Sequence, residues 1–233
     1  MSALLEFADL AELPFARLAR TPRAWIPVTA WSLFAFAAAL LLRRGSPSGS
    51  ASEALQSVFG ALALPLLAYA VVGAALGGDG LARGARSLVA FGASPTRASL
   101  AEVLVAAAAS AVLASIVGVL VAVFAHGPSD PPLARDALTT AWIAALGGAA
   151  YASFFALGAS FGKRGGGRAW FLVLDWVFGA SHGIVGIVTP RAHVRSLLGG
   201  DAVASCSNAE SSVMLVVLAV AFTSAAVART RKA

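Results

Sequence analysis

The chain has 233 residues, of which 59% are hydrophobic and 12% charged, with a mean hydropathy of +0.83. A soluble domain carries about 25% charged residues, so this composition excludes a water-soluble globular fold and predicts an all-α, polytopic membrane protein. The formal charge of +6 does not point to nucleic acid, because the basic residues cluster at the ends of apolar segments, where membrane orientation places them.

Residues 1–20 are not a span. Leu4, Phe7, Leu10 and Leu18 fall roughly on one helical face, and Glu6, Asp9 and Glu12 on another. This predicts an amphipathic helix lying in the membrane interface, interrupted at Pro14. Six apolar segments follow, at about 24–42, 54–78, 99–125, 138–162, 169–189 and 211–228. Each is near the roughly 20 residues needed to cross a bilayer as a helix. The first runs straight into Arg43 and Arg44 with no small-residue cleavage site, so it reads as an anchor. The second contains Pro65, which marks a kink.

The fifth segment holds Asp175 and His182, whose spacing puts both on one helical face. Ionisable groups at membrane depth are costly, and they line a cavity or pair with each other. Two readings stay open. One is a proton relay or substrate contact on a translocation path. The other is a boundary carboxylate that caps a helix or pairs with a basic neighbour such as Arg168.

Orientation follows from the basic residues. With the N-terminus inside, twelve lie on the cytoplasmic side and five (Arg43, Arg44, Arg135, Arg191, Arg195) on the other. The bias places both termini in the cytoplasm of a cell (inner) membrane protein, with Arg43-Arg44 the contrary pair. The external loops are then 43–53, 126–137 and 190–210.

Between the second and third segments lies a polar excursion, Asp79 to Glu102. It carries Arg83, Arg86 and Arg97 and a short apolar run at Leu88, Val89 and Phe91. It ends in Ser94-Pro95. A bilayer core offers the backbone no water, so this stretch lies outside it. It reads as a cytoplasmic helix-turn that a partner can push. Glu102 opens the third span, where the helix dipole favours a carboxylate. A second reading makes it an ion-pair partner of Arg97 or Arg86 that braces the link against the span.

No phosphate-binding loop is present. GKRGGGR at Gly162 to Arg168 lacks the GxxxxGK[ST] spacing and follows no strand, so it reads as a turn with orienting charges. The chain is expected to hold no cofactor or metal and to be no enzyme; any ATP-Mg chemistry belongs to another chain. Cys206 is the one cysteine, so no disulfide forms within the chain. Gly179 to Gly183 (GASHG) invites comparison with the glycine-flanked serine of rhomboid proteases, with His193 as base. Only eleven residues separate Ser181 from His193, however, and that fold brings its histidine from two spans later. Small residues at 106–109, 147–150, Gly158 and Ala159 let helices approach closely. No internal repeat is evident, which argues against an inverted-repeat carrier.

The order of parts has a counterpart. An interfacial N-terminal helix, six spans and a basic link with the exit AFGASPTRASLAEVL at 90–104 come first. TPRAHVRSLLGG follows at 189–200, and Tyr151 to Phe161 leads into Lys163-Arg164. Together these resemble the ABC-2 type permeases, the membrane subunits of type V ABC exporters. The resemblance implies that two permease subunits pair, as a homodimer or heterodimer, and that each docks a separate ABC ATPase subunit. It makes residues 79–98 the coupling region, with Asp79, Arg83, Arg86, Ser94, Pro95, Arg97 and Glu102 as its contacts. It makes 190–210 a segment partly re-entering the outer leaflet, with Pro190, His193 and Leu197 at an exit gate. Two rivals are a proton-coupled carrier using Asp175 and His182, and a non-transporting membrane scaffold or assembly factor.

Overall fold

The computed structural model describes residues 2–45, 50–128, 130–181 and 183–231, and among them all regular structure is helical. Five helices are long and apolar enough to cross a membrane: Trp25–Gly45, Ser50–Ala75, Pro95–Ala125, Leu133–Ala159 and Asn208–Thr230. We number the helices α1 (Ser2–Arg20), α2 (Pro22–Gly45), α3 (Ser50–Ala75), α4 (Leu81–Gly84), α5 (Arg86–Ala90), α6 (Pro95–Ala125) and α7 (Leu133–Ala159). These are followed by α8 (Gly167–Phe178), α9 (Ile184–Ile187), α10 (Pro190–Leu197) and α11 (Asn208–Thr230).

The central pair is α3 and α7, both mostly buried, with α2, α6 and α11 packed around them and largely exposed. The exposed positions of the outer helices are apolar, such as Leu33 and Leu41 on α2, Val112 and Ile116 on α6, and Val216 and Val220 on α11. That is the surface a lipid solvent requires, because hydrocarbon outside the bundle is as apolar as the core within it. Inside, Tyr151 stacks on Phe155, Tyr69 meets Phe155 edge-on, and Phe154 packs against Phe171 and Phe222.

Small residues set the closest approach. A Cβ at Gly148 of α7 would lie 2.6 Å from the Ser110 carbonyl oxygen of α6. Backbone cannot rotate out of the way as a side-chain tip can. Gly148→Ala is therefore expected to lower stability by about 1–3 kcal/mol through forced separation of α6 and α7, read as a lower melting temperature in detergent. A Cβ at Gly118 of α6 would lie 3.0 Å from the Phe59 ring of α3.

Helix ends follow capping chemistry rather than the apolar count, so they differ from the expected segment limits. The Ser94 hydroxyl accepts the Arg97 N–H at 3.3 Å, and Pro95 takes the first helical position, so α6 starts at 95 and not 99. Residues 95–98 thus belong to the helix and not to the link. Ser207 and Glu210 form a reciprocal capping box that starts α11 at Asn208 and not at 211. At its other end α3 stops at Ala75 rather than 78, because Gly77 and Gly78 take left-handed conformations. α1 continues through Pro14 instead of breaking there; one lost hydrogen bond does not end it. The kink expected at Pro65 takes the form of a widened helix, with π-type turns over Ala54–Ala63 immediately before the proline.

The fifth segment, expected as one span over 169–189, is not one helix. α8 covers 12 residues, about 18 Å, against a hydrocarbon core of about 30 Å. It stops at Gly179, where a Cβ would lie 2.8 Å from Cβ of Arg191. The first turn of α10 occupies that space. A turn and the short α9 intervene, and Pro190 then opens α10.

Candidate functional site

The link between α3 and α6 folds as two short helices, α4 and α5, joined at Ala85. Its apolar residues do not face solvent alone. Ala85 and Leu88 are buried with Ala98 and Ala101 of α6, and Leu10 and Leu13 of α1 pack against the cluster. The N-terminal helix is thus a clamp over the link, a role its sequence pattern did not specify.

One guanidinium completes the clamp. Arg17 Nη1 donates to the Ala75 carbonyl at the end of α3, at 2.8 Å. Its Nη2 reaches the Ser87 hydroxyl at 3.2 Å and the Gly84 carbonyl at 3.4 Å, both in the link. Nη1 also lies 3.2 Å from Glu102 Oε1 in α6. Helix ends leave carbonyls without intrahelical partners, and a guanidinium has five donors in a rigid fork, so one arginine can gather three elements.

Glu102 therefore pairs with Arg17, and not with Arg97 or Arg86. Because α6 begins at Pro95, Glu102 sits about two turns inside it and not in the first turn, beyond the reach of the dipole effect. Its side chain is fully buried. Sequence reasoning missed Arg17 as a site residue; it entered only as an orienting charge. The partners lie 58 to 85 residues away in the chain, so no local pattern connects them.

The remaining residues expected at the coupling region face outward. Asp79 and Arg83 pair at 3.5 Å, and both are about half exposed. Arg86, Ser94, Pro95 and Arg97 are exposed. Thr96 accepts a hydrogen bond from Arg231 Nε at 2.9 Å, which ties the end of α11 to the start of α6.

Compared with protein families, with curated proteins and with solved structures, the chain matches none. The reading of its function rests on its own geometry.

Asp175 lies in α8, fully buried. The Tyr151 hydroxyl of α7 reaches its two carboxylate oxygens at 3.1 and 3.3 Å. Arg191, in the first turn of α10, lies beside the same carboxylate. Asp175 is thus a pin joining α7, α8 and the start of α10, where unpaired backbone donors welcome an anion. The basic partner expected for it, Arg168, is engaged elsewhere: its guanidinium lies 4.6 Å from the Tyr69 ring centre. His182 is outside the described residues. α8 ends at Phe178, so the helical spacing that put His182 on the face of Asp175 does not apply.

The expected exit-gate residues lie on α10, which is wedged between α3 and α7. Pro190 opens it, and His193 is fully buried with Nε2–H donating to the Ile187 carbonyl at 2.9 Å. Ser181 and His193 form no serine–base pair: Nε2 is committed to Ile187, and the buried Nδ1 has no hydrogen-bond partner among the described residues. Leu197 packs against the main core. A Cβ at Gly60 of α3 would lie 2.8 Å from Leu198 Cδ1, and one at Gly147 of α7 2.8 Å from Val194 Cγ2, so α10 packs directly on both glycines. Gln56 of α3 donates to the Leu198 carbonyl at 3.0 Å and holds the far end.

Proposed function

We propose that this chain is the membrane-spanning permease subunit of an ATP-driven ABC exporter, lodged in the cell (inner) membrane with both termini cytoplasmic. Hydrolysis of ATP-Mg belongs to a separate ATPase subunit, and a second permease subunit completes the path. The chain crosses the membrane six times, and the fifth crossing is broken. α8 spans about 18 Å and α10 about 12 Å, which together match a hydrocarbon core of about 30 Å. α1 lies in the cytoplasmic interface.

The observation that carries this reading is the Arg17 clamp. A basic link that a partner can grip is bonded through one side chain to the end of α3 and to Glu102, two turns inside α6. Force applied to α4 and α5 therefore reaches α3 and α6 together, instead of being lost in a slack loop. On α3 the widened π-type turns, and on α7 Gly147, are the seats of α10. Movement of α3 at the link end thus acts on α10 at the other end.

The test is purification of the full-length chain from its native membrane, with identification of any co-purifying ABC ATPase and measurement of ATP turnover. Alanine at Arg83, Arg86 and Arg97 together is expected to lower stimulated turnover about tenfold or more, the loss of some 1.4 kcal/mol of docking contacts. Complex formation and turnover that both survive this triple change would remove the coupling assignment.

A further inference from the structure

Four arginines from four separate elements converge at the link end of the bundle. Arg83 of α4, Arg86 of α5, Arg164 of the turn between α7 and α8, and Arg229 of α11 line one open cavity of about 450 Å³. Gly80, Ser160, Gly162 and Thr230 also line it. Asp79 is paired with Arg83, and among the described residues no carboxylate pairs with Arg86, Arg164 or Arg229. The cavity therefore carries an uncompensated positive charge.

The cavity is built, and not a chance gathering of mobile side chains. Arg164 sits in a left-handed backbone conformation (φ 57°) within the turn Lys163–Gly165. Gly165 of that turn lies so close to Gly80 that a Cβ at either would come within about 3.1 Å of the other's backbone, which fixes the turn against the start of α4. Arg229 is held with its guanidinium 3.7 Å from the Phe161 ring centre. α7 and α11 both end at this rim, which in the proposed topology is the level where the hydrocarbon gives way to headgroups. Trp170, exposed in the first turn of α8, has the placement of an interfacial anchor.

Basic pockets between helix ends at a membrane surface suit phosphate headgroups, and each arginine near an anionic surface adds attraction. We propose that the cavity formed by Arg83, Arg86, Arg164 and Arg229 binds the phosphate headgroup of an anionic phospholipid from the adjoining leaflet. The reading does not depend on an ATPase, because Arg164 and Arg229 lie outside the link and lipid binding is measured without a partner.

The experiment uses the full chain in neutral detergent, titrated with dioleoylphosphatidylglycerol, with dioleoylphosphatidylcholine, or with inorganic phosphate, and bound lipid is counted by native mass spectrometry. The wild-type chain is expected to bind the phosphatidylglycerol about tenfold more tightly than the phosphatidylcholine. Arg164→Gln with Arg229→Gln is expected to erase that preference, while Arg43→Gln with Arg44→Gln, an equal charge loss elsewhere, retains it. All four arginines are exposed, so these variants should fold. Raising NaCl to about 1 M should also erase the preference in the unmodified chain, since screening shortens to about 3 Å. Equal binding of the two lipids, a preference that survives the Arg164/Arg229 change, or equal loss in the Arg43/Arg44 variant would overturn the proposal. Inorganic phosphate that displaces the lipid at equal concentration would reassign the cavity to a free phosphate and end the lipid reading.

Discussion

Arg17→Ala is expected to destabilise the protein by about 3–5 kcal/mol, the cost of leaving a buried charge without its partner. Glu102 has no exposed side-chain surface, and Arg17 is the cation 3.2 Å from it. The same change frees the Ala75 carbonyl and removes a donor from the Ser87 hydroxyl, so the link loses its hold on α3. For a chain of this length that corresponds to a fall in melting temperature of about 10 °C. Glu102→Gln should cost less, about 1–2 kcal/mol. The amide still accepts from Arg17, and Arg17 is partly exposed and keeps three further acceptors. The order of the two effects is the diagnostic. An Arg17→Met, Glu102→Gln double variant removes both charges and should recover much of the loss, because no buried ion is then stranded. If Arg17→Ala melts with the parent, α1 is not a clamp.

The clamp also separates two kinds of defect in the proposed exporter. On that proposal the exposed arginines of the link would serve the partner, and their loss should leave melting unchanged while turnover falls. Arg17 serves the link itself, and its loss should lower both. A protein that responded identically to Arg83→Ala and Arg17→Ala would not distinguish grip from transmission, and the division of labour drawn here would fail.

The sequence made the bundle legible because its strongest signal is length of apolar run, and a bilayer reads the same quantity. The helix starts at Ser94 and Ser207 were also present in it, as capping residues, although an apolar count passes over them. Three features were not legible. Arg17 finds Glu102 across 85 positions, and nothing local marks a pair so distant. Asp175 carried a visible cost, but its partners come from α7 and α10, and only the break at Gly179 brings the start of α10 within reach. That break was itself obscured. The stretch from Val185 to Val188 is apolar enough to extend a span, whereas Gly179, Gly183 and Pro190 are each tolerated singly in membrane helices. Their combined effect depends on α10 folding back against Gly179, which is a tertiary event.

The second large effect concerns that break. Asp175→Ala is expected to cost about 3 kcal/mol, because it strands the Tyr151 hydroxyl in a buried site and removes the anion that lies beside Arg191. Tyr151→Phe removes one donor to a charged acceptor and should cost about 1.5–3 kcal/mol. Asp175→Asn keeps an oxygen that the Tyr151 hydroxyl can reach, so it should be the mildest of the three. A proton-coupled carrier demands a different order. There the titrating carboxylate is the working part, and Asp175→Asn would abolish function while leaving the fold intact. The pin and the relay thus part at a single variant, examined for melting in detergent and for turnover in the co-purified complex. If Asp175→Asn melts like the parent and still supports turnover, the carboxylate holds α10 in place and moves no proton. If it melts like the parent and turnover is gone, the broken crossing is chemically active and the pin is the lesser part of its role.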